Sequence, residues 1–319
     1  MPTNPALWIP EHLGTQMGQG IPIFNRWHRL AASCIAAYVP GAFPAGDVIN
    51  LVSPGLGDLT TRTGTDVNLV QTPDGLAVNG TGTSSANVLQ GNTPTGGQWR
   101  LTTTQSIFYR GIKTATAASN TPTLLIGVQF NASPFNSFGM GFGGTASGGP
   151  GAITAYQTSV SSAQTGAIVP PLQQMFDAVM TFPPGIAVGA QLWVNGVKDT
   201  VADATTVNIT YGGTVVTTQM SSANNSGRNA ASNGNVAYIW APRLLQAMDA
   251  VHLHQNPYCL LLWPEDIMMA QLVGRSTTTP NNGPQLPFLS PLTAGLGGLA
   301  SAERWLARRK LMMRRLRGE

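Results

Sequence analysis

Acidic side chains are few and dispersed in this 319-residue chain, and that narrows the chemistry open to it. No acid occurs between Asp74 and Asp177, so paired general acid and base carboxylates cannot come from one short run there. A calcium site needs several converging oxygens, and the only local cluster is Asp199 and Asp203 with Asn195 and Asn208. These read as polar loop residues beside a hairpin. His252 and His254 would share a face on a strand, as metal ligands should. Their surroundings read as the last turn of a helix, where residues two apart diverge. There a histidine pair suits the helix dipole. His28, between Arg26 and Arg29, lies in a short basic run. No G-x-S-x-G elbow and no G-x-x-x-x-G-K-[ST] loop is present, and Gly139–Gly149 reads as a flexible surface loop. Cys34 and Cys259 make no disulfide framework and read as free thiols. No cofactor, metal or catalytic set is expected.

Two groups of residues point to binding instead. Phe130, Phe135, Phe138 and Phe142 surround the glycine-rich loop. Phe130 and Phe138 read as core, whereas Phe135 and Phe142 are candidates for stacking on a glycan. The second group is the tail. Residues 1–300 hold 10 of the 17 Lys and Arg and 11 of the 13 Asp and Glu. The last 19 residues hold Arg304, Arg308, Arg309, Lys310, Arg314, Arg315 and Arg317 against Glu303 and Glu319. A near-neutral body with a basic tail implies a negative partner surface. Trp305, Leu306, Met312, Met313 and Leu316 form an apolar stripe among these cations, which suits a protein groove better than nucleic acid or a membrane.

The elements that must position these residues are strands. Charged residues make up 9% of the chain, against about 25% in an ordinary domain, while 42% is hydrophobic. That composition excludes polyelectrolyte-type disorder and long helical bundles. No stretch of 18 apolar residues spans a membrane, and Met1–Gly20 carries no recognisable secretion signal. The Asn-x-Ser/Thr triplets headed by Asn79, Asn131, Asn208 and Asn224 therefore carry little weight. Strands are predicted at Ser33–Val39, Val48–Val52, Leu76–Val78, Ser106–Tyr109, Leu124–Phe130, Met175–Phe182, Gln191–Val194, Val207–Tyr211, Thr214–Thr218 and Val236–Trp240. Asn195-Gly196 is the strongest hairpin signal, and Asp74-Gly75 marks another turn. One helix is predicted over Leu244–His254, stopped by Asn256-Pro257. A second is predicted over Ala302–Leu316, with Ser301 as its N-cap. Residues 1–25 read as an extended arm carrying apolar Trp8 and Ile9, residues 26–266 as one β-sandwich, and residues 267–319 as a linker arm ending in the basic helix.

Asn25–Gly41, "NRWHRLAASCIAAYVPG", resembles the opening of phage and prophage proteins with a laminin-G or concanavalin A-like fold. Gln191–Val197, "QLWVNGV", resembles that family's hairpin. Ala237–Asp266 resembles its closing element, with Arg243, Leu245, Asp249, Leu253, Asn256, Pro257 and Tyr258 in the matching places. Tyr258 stands where Trp is usual, and Gln246 and Met248 interrupt the helix start. The resemblance runs in order through about residues 25–266, with no alignable motif over 100–175. It implies an all-β, two-sheet jelly roll. Glycosidases of this fold carry E-x-D-x-E or E-x-D-x-x-E on one strand, and this chain has neither. The expectation is a non-enzymatic structural protein of a bacteriophage virion, a capsid decoration or a neck or tail appendage. It would assemble in the bacterial host cytoplasm, as a homo-oligomer within the particle, docked on other virion proteins by its arms. A carbohydrate-binding adhesin for host glycans is the alternative, and a glycoside hydrolase a remote third.

Overall fold

A computed structural model describes residues 17–18, 20–43, 47–63, 69–79, 88–91, 105–115, 123–129, 137–143, 151–157, 164–182, 190–200, 217–222, 232–265 and 267. The strands run β1 (Ile23–Phe24), β2 (Cys34–Tyr38), β3 (Thr61–Thr63), β4 (Leu69–Thr72), β5 (Gly75–Asn79) and β6 (Val88–Gly91). They continue with β7 (Gln105–Lys113), β8 (Thr123–Gln129), β9 (Ser137–Phe142), β10 (Ile153–Gln157), β11 (Gln164–Thr165) and β12 (Met175–Phe182). The last are β13 (Gln191–Val194), β14 (Val197–Lys198), β15 (Thr217–Ser222) and β16 (Ser232–Trp240), then helix α1 (Ala247–Gln255) and β17 (Leu261–Leu262). All the strand pairings are antiparallel. The protein is all-β, a sandwich of two sheets. One has the order β14-β13-β12-β7-β16-β5-β4, with β2 also on β16, and the other β11-β10-β9-β8-β15-β6-β3. The chain divides into Met1–Ala270 and Gln271–Glu319, and all the described residues lie in the first part.

The first sheet is buried on both faces, which explains its continuous apolar strands. Side chains alternate along a strand. Ile107, Tyr109, Ala178, Met180, Ala237 and Ile239 therefore point inward, against Leu89, Ile126, Met140, Phe142, Ile153 and Met220 of the second sheet. Their neighbours Phe108, Val179, Trp193, Val236, Tyr238 and Trp240 point outward. They pack under Phe24, Leu30, Leu245, Ala250, Leu253, Tyr258, Leu260 and Trp263. The segments before β2 and after β16 thus form a third layer over the sandwich.

Several predicted elements recur with the same residues. Met175–Phe182 and Gln191–Val194 are β12 and β13. Asn195 and Gly196 both adopt positive φ, 51° and 73°, as a tight hairpin between twisted strands requires. Three elements differ. Val48–Val52 forms only an isolated bridge, Val48 to Leu59. The buried Asn50 side chain does the pairing there. Its Oδ1 accepts the Ala37 and Val52 amides, and its Nδ2 donates to the Ile35 and Leu56 carbonyls. Part of the predicted glycine-rich loop is strand β9, "SFGMGF". Its glycines allow close strand contact, since a Cβ at Gly139 would lie on the Ile126 carbonyl oxygen. The helix begins at Ala247, not Leu244. The Leu245 amide donates to Ser106 Oγ (2.9 Å) and its side chain is buried in the outer layer, so the chain is still extended there. The N-terminal arm ends in a strand, β1, paired with β17. Val207–Tyr211 and the Ala302–Leu316 helix lie outside the described residues.

Candidate functional site: a clasp between the two ends of the sandwich

The opening and closing segments, some two hundred residues apart, are bonded to each other. β2 pairs with β16, and β1 with β17. Trp240 Nε1 donates to the Leu30 carbonyl at 2.7 Å, and Arg243 Nη1 to the Arg29 carbonyl at 3.0 Å. Arg29 pairs with Asp249. The other oxygen of Asp249 accepts the Gln246 amide at the start of α1, where a carboxylate also suits the helix dipole. Asn25 Nδ2 donates to the Cys259 carbonyl, and the Asn25 amide to that of Leu260. Leu245 and Leu253 fill the outer layer, and the Asn256 amide closes α1 on the His252 carbonyl. Asn25, Arg29 and Leu30 of the opening segment and Trp240, Arg243, Asp249, Cys259 and Leu260 of the closing one are therefore parts of one clasp.

The clasp holds two clusters of titratable groups. In the first, His28 Nε2 lies 3.2 Å from His252 Nε2, and the Leu30 amide donates to His28 Nδ1 at 3.1 Å. Burial, reinforced by His252 and the cations of Arg29 and Arg243, lowers the His28 pKa to about 4, so the ring is neutral at pH 7. Cys259 joins them, and the ligand atoms of the three residues lie within 4.8 Å of one another. Burial pushes the Cys259 thiol up to about 12. These three side chains are the ones among the described residues that could hold a metal ion.

In the second cluster, Arg110 bridges Asp74 and Asp177. His254 Nδ1 lies 2.7 Å from Asp177 Oδ2, and Tyr258 donates to Asp74 Oδ2 at 2.8 Å. The Asp177 hydrogen bond raises the His254 pKa, against the effect of burial. With His254 protonated, two cations meet two carboxylates and the cluster is neutral. Both clusters draw on α1: His252 turns to one and His254 to the other, as a two-residue helical spacing requires.

Phe142, a candidate for glycan contact, is corrected by the structure. It is fully buried, with its ring 5.5 Å from Phe176 in the inner core and 5.2 Å from Lys113 Nζ. It shares a face of β9 with buried Met140, so alternation sends it inward. Phe135 lies outside the described residues, as do Trp8 and Ile9 of the N-terminal arm. So do Arg304, Trp305, Arg308, Arg309, Lys310, Met312, Met313, Arg314, Arg315 and Arg317 of the tail. Of the Asn195, Asp199 and Asp203 group, Asp203 lies outside them too. Asn195 Oδ1 accepts the Asp177 amide at 3.0 Å, and the Asp199 carboxylate accepts the Ala167 and Ile168 amides, each at 3.0 Å. These side chains serve the backbone. Sequence reasoning placed Arg243, Asp249 and the two histidines on one element. It did not join His28 to His252, because no local spacing links residues 224 apart.

No family model matches the chain, and no curated protein matches it. Several solved structures are similar to it. Trypanosoma rangeli sialidase is 11% identical over 79% of this chain and 38% of its own, with a TM-score of 0.51. The same enzyme with the inhibitor DANA is 9% identical, over 70% of this chain and 33% of its own, at 0.50. Domain 4 of an extracellular arabinanase from Geobacillus stearothermophilus, in complex with arabinotriose, is 14% identical over 70% of this chain and 98% of its own, at 0.45. The chain thus spans little more than a third of the sialidases, and identities this low establish the fold alone.

Proposed function

We propose that this chain is a non-enzymatic structural component of a bacteriophage particle, a β-sandwich docked through its terminal arms on other virion proteins. One observation carries the reading: the clasp brings the two ends of the sandwich to one place. Ile23 pairs with Leu262 and Phe24 with Leu261. A Cβ at Gly18 would lie on the Trp263 side chain, and Gly20 sits beside Pro264. The segments leading to both arms therefore leave the body side by side, where one partner surface meets both. The closing half of this arrangement lies in Ala237–Asp266, which resembles phage laminin-G-like proteins, and Asn25–Gly41, the other end of that resemblance, follows β1 directly. The buried carboxylates beside it also have architectural work, Asp74 and Asp177 on Arg110 and Asp249 on Arg29. The test is truncation within the arms, after Ala270 and before Met17, in separate variants. Loss of incorporation into particles, with the melting temperature unchanged, is the expected result. Normal incorporation of both truncated chains refutes docking through the arms.

The second reading is a sandwich that binds host surface glycans, favoured by a fold shared with a sialidase solved with sialic acid. With Phe142 in the core, Phe135 is the remaining candidate contact. Binding to a panel of bacterial polysaccharides that falls in Phe135→Ala supports this reading, and no binding across the panel removes it.

A further inference from the structure

We propose that His28, His252 and Cys259 form a zinc-type metal site that staples the opening segment of the sandwich to its closing element. The donor set is two imidazoles and one thiol, the chemistry that a borderline-soft divalent ion such as zinc selects. The donors come from three separate pieces of chain: the turn after β1, the last turn of α1, and the turn between α1 and β17.

The histidine geometry fits a shared ion. Two nitrogens at roughly 2.05 Å from a tetrahedral ion lie about 3.3 Å apart, with their ring centroids about 5.3 Å apart. His28 and His252 show 3.2 Å between Nε2 atoms, 5.2 Å between centroids and ring planes 23° apart. Cys259 completes a three-ligand set. Its sulfur lies within 4.8 Å of a ring nitrogen of each histidine, against about 3.6 Å when bound, so the side chain moves inward by about 1 Å at most. A fourth position is left for water.

The apo arrangement has a defined competitor. The Leu30 amide donates to His28 Nδ1, so the neutral ring carries its proton on Nε2 and donates to His252. Ligation through Nε2 moves that proton to Nδ1 and gives up the Leu30 bond. The ion then forms three coordinate bonds in place of the nitrogen–nitrogen and Leu30 hydrogen bonds, and Cys259 releases its thiol proton to solvent.

The experiment uses the full chain, freed of metal by chelation and titrated with cobalt(II) and then zinc. One ion per chain, tetrahedral cobalt bands and a thiolate-to-cobalt charge-transfer band that zinc abolishes are expected. Cys259→Ser removes the charge-transfer band. Cys259→Ser and His252→Gln each weaken binding by about 100-fold or more, while His254→Gln leaves it unchanged. Melting each variant without metal separates lost ligation from lost folding. The proposal is overturned if the folded chain shows no charge-transfer band, or if Cys259→Ser binds cobalt as the parent does.

Discussion

Replacing Arg110 tests whether the second cluster holds the sandwich to its outer layer. The guanidinium is 13% exposed and bridges Asp74 and Asp177, whose side chains are 10% and 1% exposed. Arg110→Met keeps most of the volume but leaves two buried carboxylates without their shared cation. Breaking a buried pair in this way costs about 3–5 kcal/mol. Two bonds survive, Tyr258 to Asp74 and His254 to Asp177, which places the expected cost near the lower end, about 3 kcal/mol. For a domain of this size each kcal/mol shifts Tm by about 2–4 °C, so Arg110→Met should melt roughly 6–12 °C lower. Arg26→Met is the control, since Arg26 is exposed and, among the described residues, its side chain donates to the Val52 carbonyl alone (2.8 Å). It should lose about 1 kcal/mol or less. Asp177→Asn combined with Arg110→Met should cost less than the two single changes added together, because they share one interaction. Scanning calorimetry of the parent and the four variants gives all the terms. A drop in Tm below about 2 °C for Arg110→Met, or strict additivity in the double variant, refutes the account.

Three further outcomes follow from neighbouring residues. The His254 pKa is raised from 6.5 by the Asp177 hydrogen bond, so its stabilising contribution is fully present below 6.5 and is lost as pH rises through the folded value. Stability measured by denaturant should therefore fall above about pH 6.5, and His254→Gln should flatten that part of the profile. Asn195 sits at a φ of 51° and accepts the Asp177 amide. Asn195→Ala should lose about 2–3 kcal/mol and Asn195→Gly about 1 kcal/mol in the same assay, because glycine removes the bond without the left-handed strain. Lys113 is buried, donates to the Gly151 carbonyl at 2.8 Å and pairs with no carboxylate among the described residues. Burial lowers its pKa, so the protonated native state carries a penalty at neutral pH that fades as pH rises toward 10.5. Lys113→Met should melt at or above the parent at pH 7, and a clear decrease would show that the carbonyl bond outweighs the burial.

Much of the fold was legible in the chain. Runs such as "MFDAVMTF" and "NVAYIW" are apolar on both faces, which marks strands covered on both sides. Asn195-Gly196 announced its hairpin through its tolerance of positive φ. The glycine-rich strand β9 was hidden because its pairing depends on how closely β8 approaches, and composition carries no record of that. The Val48–Val52 segment misled for a related reason. Its residues favour strands, but the side chain of Asn50 took the backbone groups that a ladder would have used.

The site divides along the same line. Sequence by itself determined the strand content, the helix before Asn256-Pro257 and the divergence of His252 from His254, because these follow from near-neighbour sterics and a fixed helical period. It also determined the contrast between a near-neutral body and a basic tail. Only the tertiary structure decided that His28 meets His252 and Cys259, and that Arg110 joins Asp74 to Asp177. Those partners are 36 to 231 residues apart in the chain. They meet because the outer face of the first sheet is apolar and must be covered, and the two ends of the sandwich are what cover it.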